Sequence, residues 1–288
     1  FSERILAQGV SFVVSIVLAR LLMPEDYGTV AMVNVFITIA DVFVVSGFST
    51  ALIQKKDADD TDFSTILYCS LLVAVVIYII LFVSAPFIAD FYNTPILCNV
   101  IRVFSLRMPL AAYNSVQHAY VSRHMLYKKF FYSTLFGTIL SGFVGIAMAY
   151  HGLGVWALIG QYFTNSIVDT IVLSFTVEWK PKCLFSISAA KKLMSYGWKI
   201  LAADLVGTVY QQLRSFIIGK VYTSSDLAYY NQGKKFPDLI TTNVDGTIST
   251  VLFPAMSNYS DDKERVGKMV SRAMRVSSFV IFPLMIGL

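Results

Sequence analysis

The chain has 288 residues, 56% of them hydrophobic and only 14% charged, with a net charge of +5. Soluble globular proteins run ~45–50% apolar and ~25% charged, so these few charges cannot cover this much apolar surface in water, and a soluble fold is excluded. The basic excess would suggest nucleic acid in a soluble protein, but here it sits in alternate loops, where it reports membrane topology.

A membrane-spanning helix needs ~20 mainly apolar residues at 1.5 Å each. In chain order the expected spans are 5–23, 27–53, 63–90, 96–121, 130–151, 153–177, 198–220, 227–256 and a ninth from about Val266. Short polar turns join several of them, such as Pro24-Glu25-Asp26 and Asn93-Thr94-Pro95. Between the sixth and seventh spans lies a loop, 178–197, whose Ile187, Ala190, Leu193 and Met194 recur at helical spacing opposite Lys191 and Lys192. That pattern predicts an amphipathic helix over 186–196, resting on the membrane surface.

Lysine and arginine fall on one side of this arrangement. Arg4, Lys55, Lys56, Arg123, Lys128, Lys129, Lys180, Lys182, Lys191, Lys192, Lys199, Lys263, Arg265 and Lys268 share it, while the opposite turns carry none apart from Arg20 and Lys220 at helix ends. The positive-inside rule then places the basic loops and the N-terminus in the cytoplasm.

The sequence also repeats at an offset of 200 residues. Ala19-Arg20-Leu21 faces Gly219-Lys220-Val221, Asp26-Tyr27-Gly28 faces Asp226-Leu227-Ala228, and Phe48–Ile53 faces 248–253. Six spans separate the matched helices, so both copies cross in the same direction, which is a parallel repeat. The predicted fold is an all-α polytopic membrane protein of two six-helix lobes: an N-terminal lobe over 1–177, a linker over 178–197, and the start of a second lobe over 198–288. Both ends lie in apolar runs, so the chain is expected to be part of a longer protein of at least twelve spans.

Charges within lipid cost ~2.5–3.5 kcal/mol each on insertion scales and normally face a cavity. The eighth span carries Asn231, Lys234, Asp238, Thr241, Asp245 and Ser249 at i+3/i+4 spacing, one polar stripe. Asn34, Thr38 and Asp41 stand at the offsets of Lys234, Asp238 and Thr241 in the second span. Arg20, Arg102, Arg107, Arg214, Lys234 and Lys235 are candidate cavity cations, suited to a pyrophosphate, whose oxygens both Arg forks and Lys ammoniums bind. Tyr113, Tyr210, Tyr229 and Tyr230 are candidates for stacking on sugar rings. The competing reading is that these cations form structural ion pairs, Lys234 with Asp238 for example. Asp41, Asp238 and Asp245 stand open between two roles, coupling to Na⁺ or H⁺ and pairing with a neighbouring cation.

Nothing in the sequence points to covalent chemistry. The three cysteines have no CxxC spacing, the three histidines lie on separate segments, and there is no phosphate-binding glycine loop, nucleophile elbow or HExxH. No metal or organic cofactor is expected.

Four stretches, 18–28 (LARLLMPEDYG), 51–56 (ALIQKK), 152–158 (GLGVWAL) and 251–255 (VLFPA), resemble the polysaccharide exporters of the multidrug/oligosaccharidyl-lipid/polysaccharide superfamily, the colanic-acid and teichuronic-acid (Wzx-like) branch. The resemblance implies alternating access between two lobes in a bacterial cytoplasmic membrane. The implied cargo is an undecaprenyl-pyrophosphate-linked oligosaccharide, moved to the outer leaflet. It also implies Arg20 as a cavity cation; the other cations rest on their helical faces alone. The partners expected are the lipid-linked glycan, the bilayer and glycan-assembly proteins, with no nucleic acid. A multidrug/cation antiporter of the same superfamily would need an acidic or apolar cavity. A membrane polymerase or ligase would need a large catalytic outer loop.

Overall fold

A computed structural model describes residues 2–46, 48–55, 58–235, 237–238, 241 and 263–287. Every regular element among them is an α-helix, and the chain divides into two compact units, Phe1–Ala228 and Tyr229–Leu288. In order the helices are α1 Ser2–Leu21, α2 Pro24–Val45, α3 Phe48–Gln54, α4 Asp60–Phe91, α5 Ile96–Ser105, α6 Met108–Arg123, α7 Tyr127–Tyr150, α8 Val155–Thr176 and α9 Ile187–Val221. They are followed by α10, 224–235, which crosses from the first unit into the second, and α11 Lys263–Ile286.

Among the described residues, five stretches are long and apolar enough to cross a membrane: Pro24–Ile53, Asp60–Phe91, Ile96–Arg123, Phe131–Tyr150 and Gly267–Ile286. Helices satisfy their own backbone hydrogen bonds, which is why they can span lipid. The chain is a multi-pass α-helical membrane protein.

Two expected spans are broken. The second, 27–53, is α2 followed by the short α3, and the fourth, 96–121, is α5 followed by α6. Pro109 favours the second break: it sits in the first turn of α6, and it has no N–H for the Ser105 carbonyl four residues back, which weakens a continuous helix there. The chain turns at Leu106 and Arg107 and starts again, which aims the Arg107 side chain independently of α5.

The expected surface helix at 186–196 and the seventh span are a single helix of 35 residues, α9. Ser186 starts it by accepting a 3.3 Å bond from the Ala189 N–H. No proline interrupts it, and its three glycines, Gly197, Gly207 and Gly219, cost only ~1 kcal/mol each in a helix interior. The apolar spacing serves protein rather than lipid headgroups. Ala190 and Leu193 are buried, Leu193 in a cluster with Leu52, Phe63, Leu173 and Trp179, while Ile187 and Met194 stay exposed.

The segment 178–186 is strapped to the start of α4. The Lys182 N–H donates to Ser64 Oγ at 3.2 Å and the Ser186 N–H to Thr65 Oγ1 at 3.1 Å. Tyr68 donates its hydroxyl to the Lys182 carbonyl at 3.2 Å, and Lys182 Nζ pairs with Asp60 at 2.5 Å. Trp179 is buried beneath this strap, 5.6 Å from the Phe63 ring.

The 200-residue repeat is visible in the backbone. Residues 21–28 and 221–228 follow the same course, a helix end, two non-helical residues and a new helix. In each the acid three residues on holds the turn. The Met23 N–H donates to Asp26 Oδ2 at 3.2 Å and the Thr223 N–H to Asp226 Oδ2 at 3.1 Å. The two turns touch: a Cβ on Gly28 would lie 1.8 Å from the Ser224 carbonyl oxygen, so only glycine fits there. The eighth span lies largely beyond the described residues, Asp245 included.

Candidate substrate cavity

A cavity of about 590 Å³ opens within the first unit among α2, α3, α6 and α8. Its walls run from Asp41 and Arg107 to Ile53 and Ser122. Fifteen residues of α6 separate Arg107 from Ser122, so the cavity is about 20 Å long at 1.5 Å per residue. It extends toward the lysine-rich end of the bundle.

Among the described residues four ionisable ones line it, and they are paired. Arg107 forms an ion pair with Asp41, about a fifth to a quarter of each side chain remaining exposed. His118 Nε2 lies 2.9 Å from Asp169 Oδ2, and Ser133 on α7 donates to the other oxygen of Asp169. In a low-dielectric wall an isolated charge is costly, so pairing is the physical expectation. The Arg107 guanidinium also lies 5.1 Å from the Phe104 ring centroid, which fixes its approach.

Neutral groups complete the wall. Asn114 donates to the Ser166 carbonyl at 3.2 Å and accepts from Thr170 at 2.8 Å, tying α6 to α8. Three buried polar atoms of this wall have no partner among the described residues: Asp41 Oδ1, Ser49 Oγ and Arg107 Nε. Buried polar groups are nearly always satisfied, so these three are local exceptions packed behind the cavity surface.

Of the residues singled out from the sequence, the fold brings Asp41 and Arg107 together here. Tyr113 is half-buried; its hydroxyl hydrogen-bonds Ser174 at 2.9 Å and accepts from Gln117 at 2.9 Å, which makes it a strut between helices. Arg102 lies outside the cavity. Its guanidinium covers the Phe82 ring at 4.5 Å, and its Nε donates to the Phe82 carbonyl over a long 3.4 Å. That carbonyl stands four residues before Pro86, which has no N–H to return. Arg102 thus patches a gap in the α4 hydrogen-bond ladder. Arg20, Arg214 and Tyr210 are exposed on α1 and α9.

In the second unit Lys234 lies 3.6 Å from Asp238, the i,i+4 pair. Both side chains there keep substantial exposure, Tyr230 is half-buried and Lys235 exposed. Sequence reasoning missed the His118–Asp169–Ser133 cluster. Asp169 was the available signal, a lone carboxylate inside an apolar span.

The family described as "Polysaccharide biosynthesis protein" matches residues 17–288. The chain belongs to that family. Among relatives of this polysaccharide biosynthesis family, the succinoglycan biosynthesis transport protein ExoT of Rhizobium meliloti is 23% identical over 97% of the chain and 57% of its own length. The teichuronic acid biosynthesis protein TuaB of Bacillus subtilis is 25% identical over 86% of the chain and 52% of its own length. The lipopolysaccharide biosynthesis protein WzxC of Escherichia coli is 22% identical over 97% and 57%. The chain therefore spans little more than half the length of these relatives. In fold it resembles a solved structure described as the inward-facing conformation of a multidrug resistance MATE family transporter of the MOP superfamily, with a TM-score of 0.69. Identity is 13%, over 95% of this chain and 68% of that one.

Proposed function

We propose that this chain is the larger part of a transporter that flips an undecaprenyl-pyrophosphate-linked oligosaccharide from the cytoplasmic to the outer leaflet of a bacterial cytoplasmic membrane. The N-terminus and the lysine-rich loops lie in the cytoplasm in this reading. The observation that carries it is the family match over residues 17–288. Relatives named for succinoglycan, teichuronic acid and lipopolysaccharide biosynthesis point the same way. A polar cavity that extends toward the lysine-rich end supports cargo entry from the side where such precursors are built.

The mechanism is physical. Sugars and diphosphate occupy hydrated space within protein while the prenyl chain stays in lipid, and alternating access exposes them on the other side. Arg20, Arg214, Lys234 and Lys235 are the candidate cations for the diphosphate; Tyr210 and Tyr230 are candidates for stacking on sugar rings. Asp41 and Asp238 remain candidates for Na⁺ or H⁺ coupling, as does Asp245, beyond the described residues.

The deciding experiment expresses the full-length gene in a strain lacking its own flippase. Restored surface glycan with loss of the accumulated lipid-linked precursor is the expected result. Unchanged precursor alongside new resistance to cationic drugs would instead assign the chain to multidrug antiport.

A further inference from the structure

We propose that the exposed seam between α4 and α5 holds the headgroup phosphate of a membrane phospholipid, gripped by Arg102 and Asn99 at the edge of the hydrocarbon. The inference goes beyond the transport reading and is independent of the cargo.

Arg102 has more to offer than the fold uses. A guanidinium carries five N–H donors and a permanent charge. Among the described residues Arg102 donates one of them, Nε to the Phe82 carbonyl, and covers the Phe82 ring. The N–H groups on Nη1 and Nη2 are left over, and the residue stays partly exposed. Helix α5 contains no acid. On this half of α4 the acid is Asp90, eight residues past Phe82, or ~12 Å along the helix.

The surface around Arg102 suits lipid. One stripe of α5, formed by Ile96, Asn99, Val103 and Leu106, is exposed, and so are Ile79, Phe82 and Val83 on α4. Asn99 is the polar member of the stripe, one turn nearer the helix start than Arg102, and residues three apart are neighbours on a helix.

Depth selects the part of the lipid that meets them. The 32 residues of α4 span ~48 Å, and the hydrocarbon is ~30 Å thick, so ~9 Å of a centred helix emerges at each end. Arg102 lies six residues in from Ile96, ~9 Å from the turn that follows α4. That is the boundary where arginine side chains reach for headgroups. A guanidinium grips phosphate oxygens through two N–H groups at once, and the Asn99 amide adds a further donor. A phosphate held there staples α5 to α4 beside the gap left by Pro86.

The test uses full-length protein purified in detergent and a phosphatidylglycerol carrying a photoreactive group on its acyl chain beside the glycerol. Labelled peptides are read by mass spectrometry over 79–106 and, as an internal control, at the lysine-rich end. Wild type is expected to show saturable labelling over 79–106. Arg102→Gln should raise the half-saturating lipid concentration there about tenfold and leave the control region unchanged. Asn99→Leu, at an exposed position, should raise it by a smaller factor and serves alone if melting shows that Arg102→Gln does not fold. Unlabelled phosphatidylglycerol should compete, whereas diacylglycerol with the same chains and inorganic phosphate should not. The proposal is overturned if wild type shows no saturable labelling over 79–106, as when another segment covers this face. It is equally overturned if the folded variant binds normally, if the control region shifts in step, or if diacylglycerol or inorganic phosphate displaces the probe.

Discussion

Ser225 Oγ donates a 2.7 Å hydrogen bond to Glu25, two residues that stand 200 positions apart. That separation equals the repeat offset, so the bond joins a position to its own copy. Equivalent elements meet in this way only close to an axis of pseudo-symmetry. Lys220 closes the same region by donating to the Phe91 carbonyl, with its ammonium 4.2 Å above the Phe91 ring.

The first prediction follows from that contact. With Cys69, Cys98 and Cys183 replaced, Glu25→Cys combined with Ser225→Cys should crosslink rapidly with a short bifunctional thiol reagent in membranes of cells expressing the full-length protein. Gly28→Ala should slow the crosslink, because its methyl group meets the Ser224 backbone. Equal yields with and without that methyl group would mean the two turns are not in contact.

Asp41 and Arg107 should behave as a unit. Removing one partner of a buried ion pair costs ~3–5 kcal/mol, and the residual exposure of both side chains places this pair at the lower end. Asp41→Ala should lower thermal stability markedly in detergent. Arg107→Ala added to it should cost little more, since the charge left stranded is then gone. Additive losses in the double variant would show that the two groups are not coupled.

Arg102→Ala should destabilise by about 1–3 kcal/mol, through loss of the ring contact and the Phe82 carbonyl bond. Pro86→Ala restores an N–H to that carbonyl. In that background Arg102→Ala should cost about 1 kcal/mol less, measured as a double-mutant cycle by reversible unfolding. A cycle that closes to zero would leave Arg102 without this repairing role.

At the lysine-rich end, Asp59 caps α4 by accepting from the Asp62 N–H at 2.8 Å. This backbone bond holds the Asp59 carboxyl below the usual carboxylate range. A group whose folded pKa is depressed stabilises above its unfolded pKa, and that contribution fades as pH falls through the folded value. Asp59→Asn keeps a good cap without a titrating group. Wild type should therefore lose more melting temperature than the variant between neutral pH and the acid range. Parallel curves would exclude Asp59 from the acid sensitivity.

Arg214→Ala and Lys234→Ala in the full-length gene should each reduce surface polysaccharide in the complementation strain while membrane protein level stays constant. Quantified export at the wild-type level in both would remove these two residues from the cargo route.

The repeat was legible because turn chemistry is local. An acid three residues into each new helix writes the same signal at Asp26 and Asp226. The break at Arg107 was also written, in Pro109, yet the apolar run of 96–121 is long enough to mask it. The merger of 186–196 with the seventh span was not legible, because lysines beside apolar residues describe a membrane-resting helix as well as one packed on α3 and α4. His118, Ser133 and Asp169 come from three helices, and no spacing along the chain announces that they meet. Arg102 and Arg107 look alike in sequence; only the carbonyl freed by Pro86 and the carboxylate of Asp41 tell them apart.

Helix α9 runs unbroken for 35 residues, about 52 Å at 1.5 Å per residue. One end is anchored by Leu193 beside the strap; the other delivers the chain to Ser225 at Glu25. A stiff rod fixed at both places behaves as a lever. No proline interrupts it, so the strap and the contact of Ser225 with Glu25 are joined by one continuous helix.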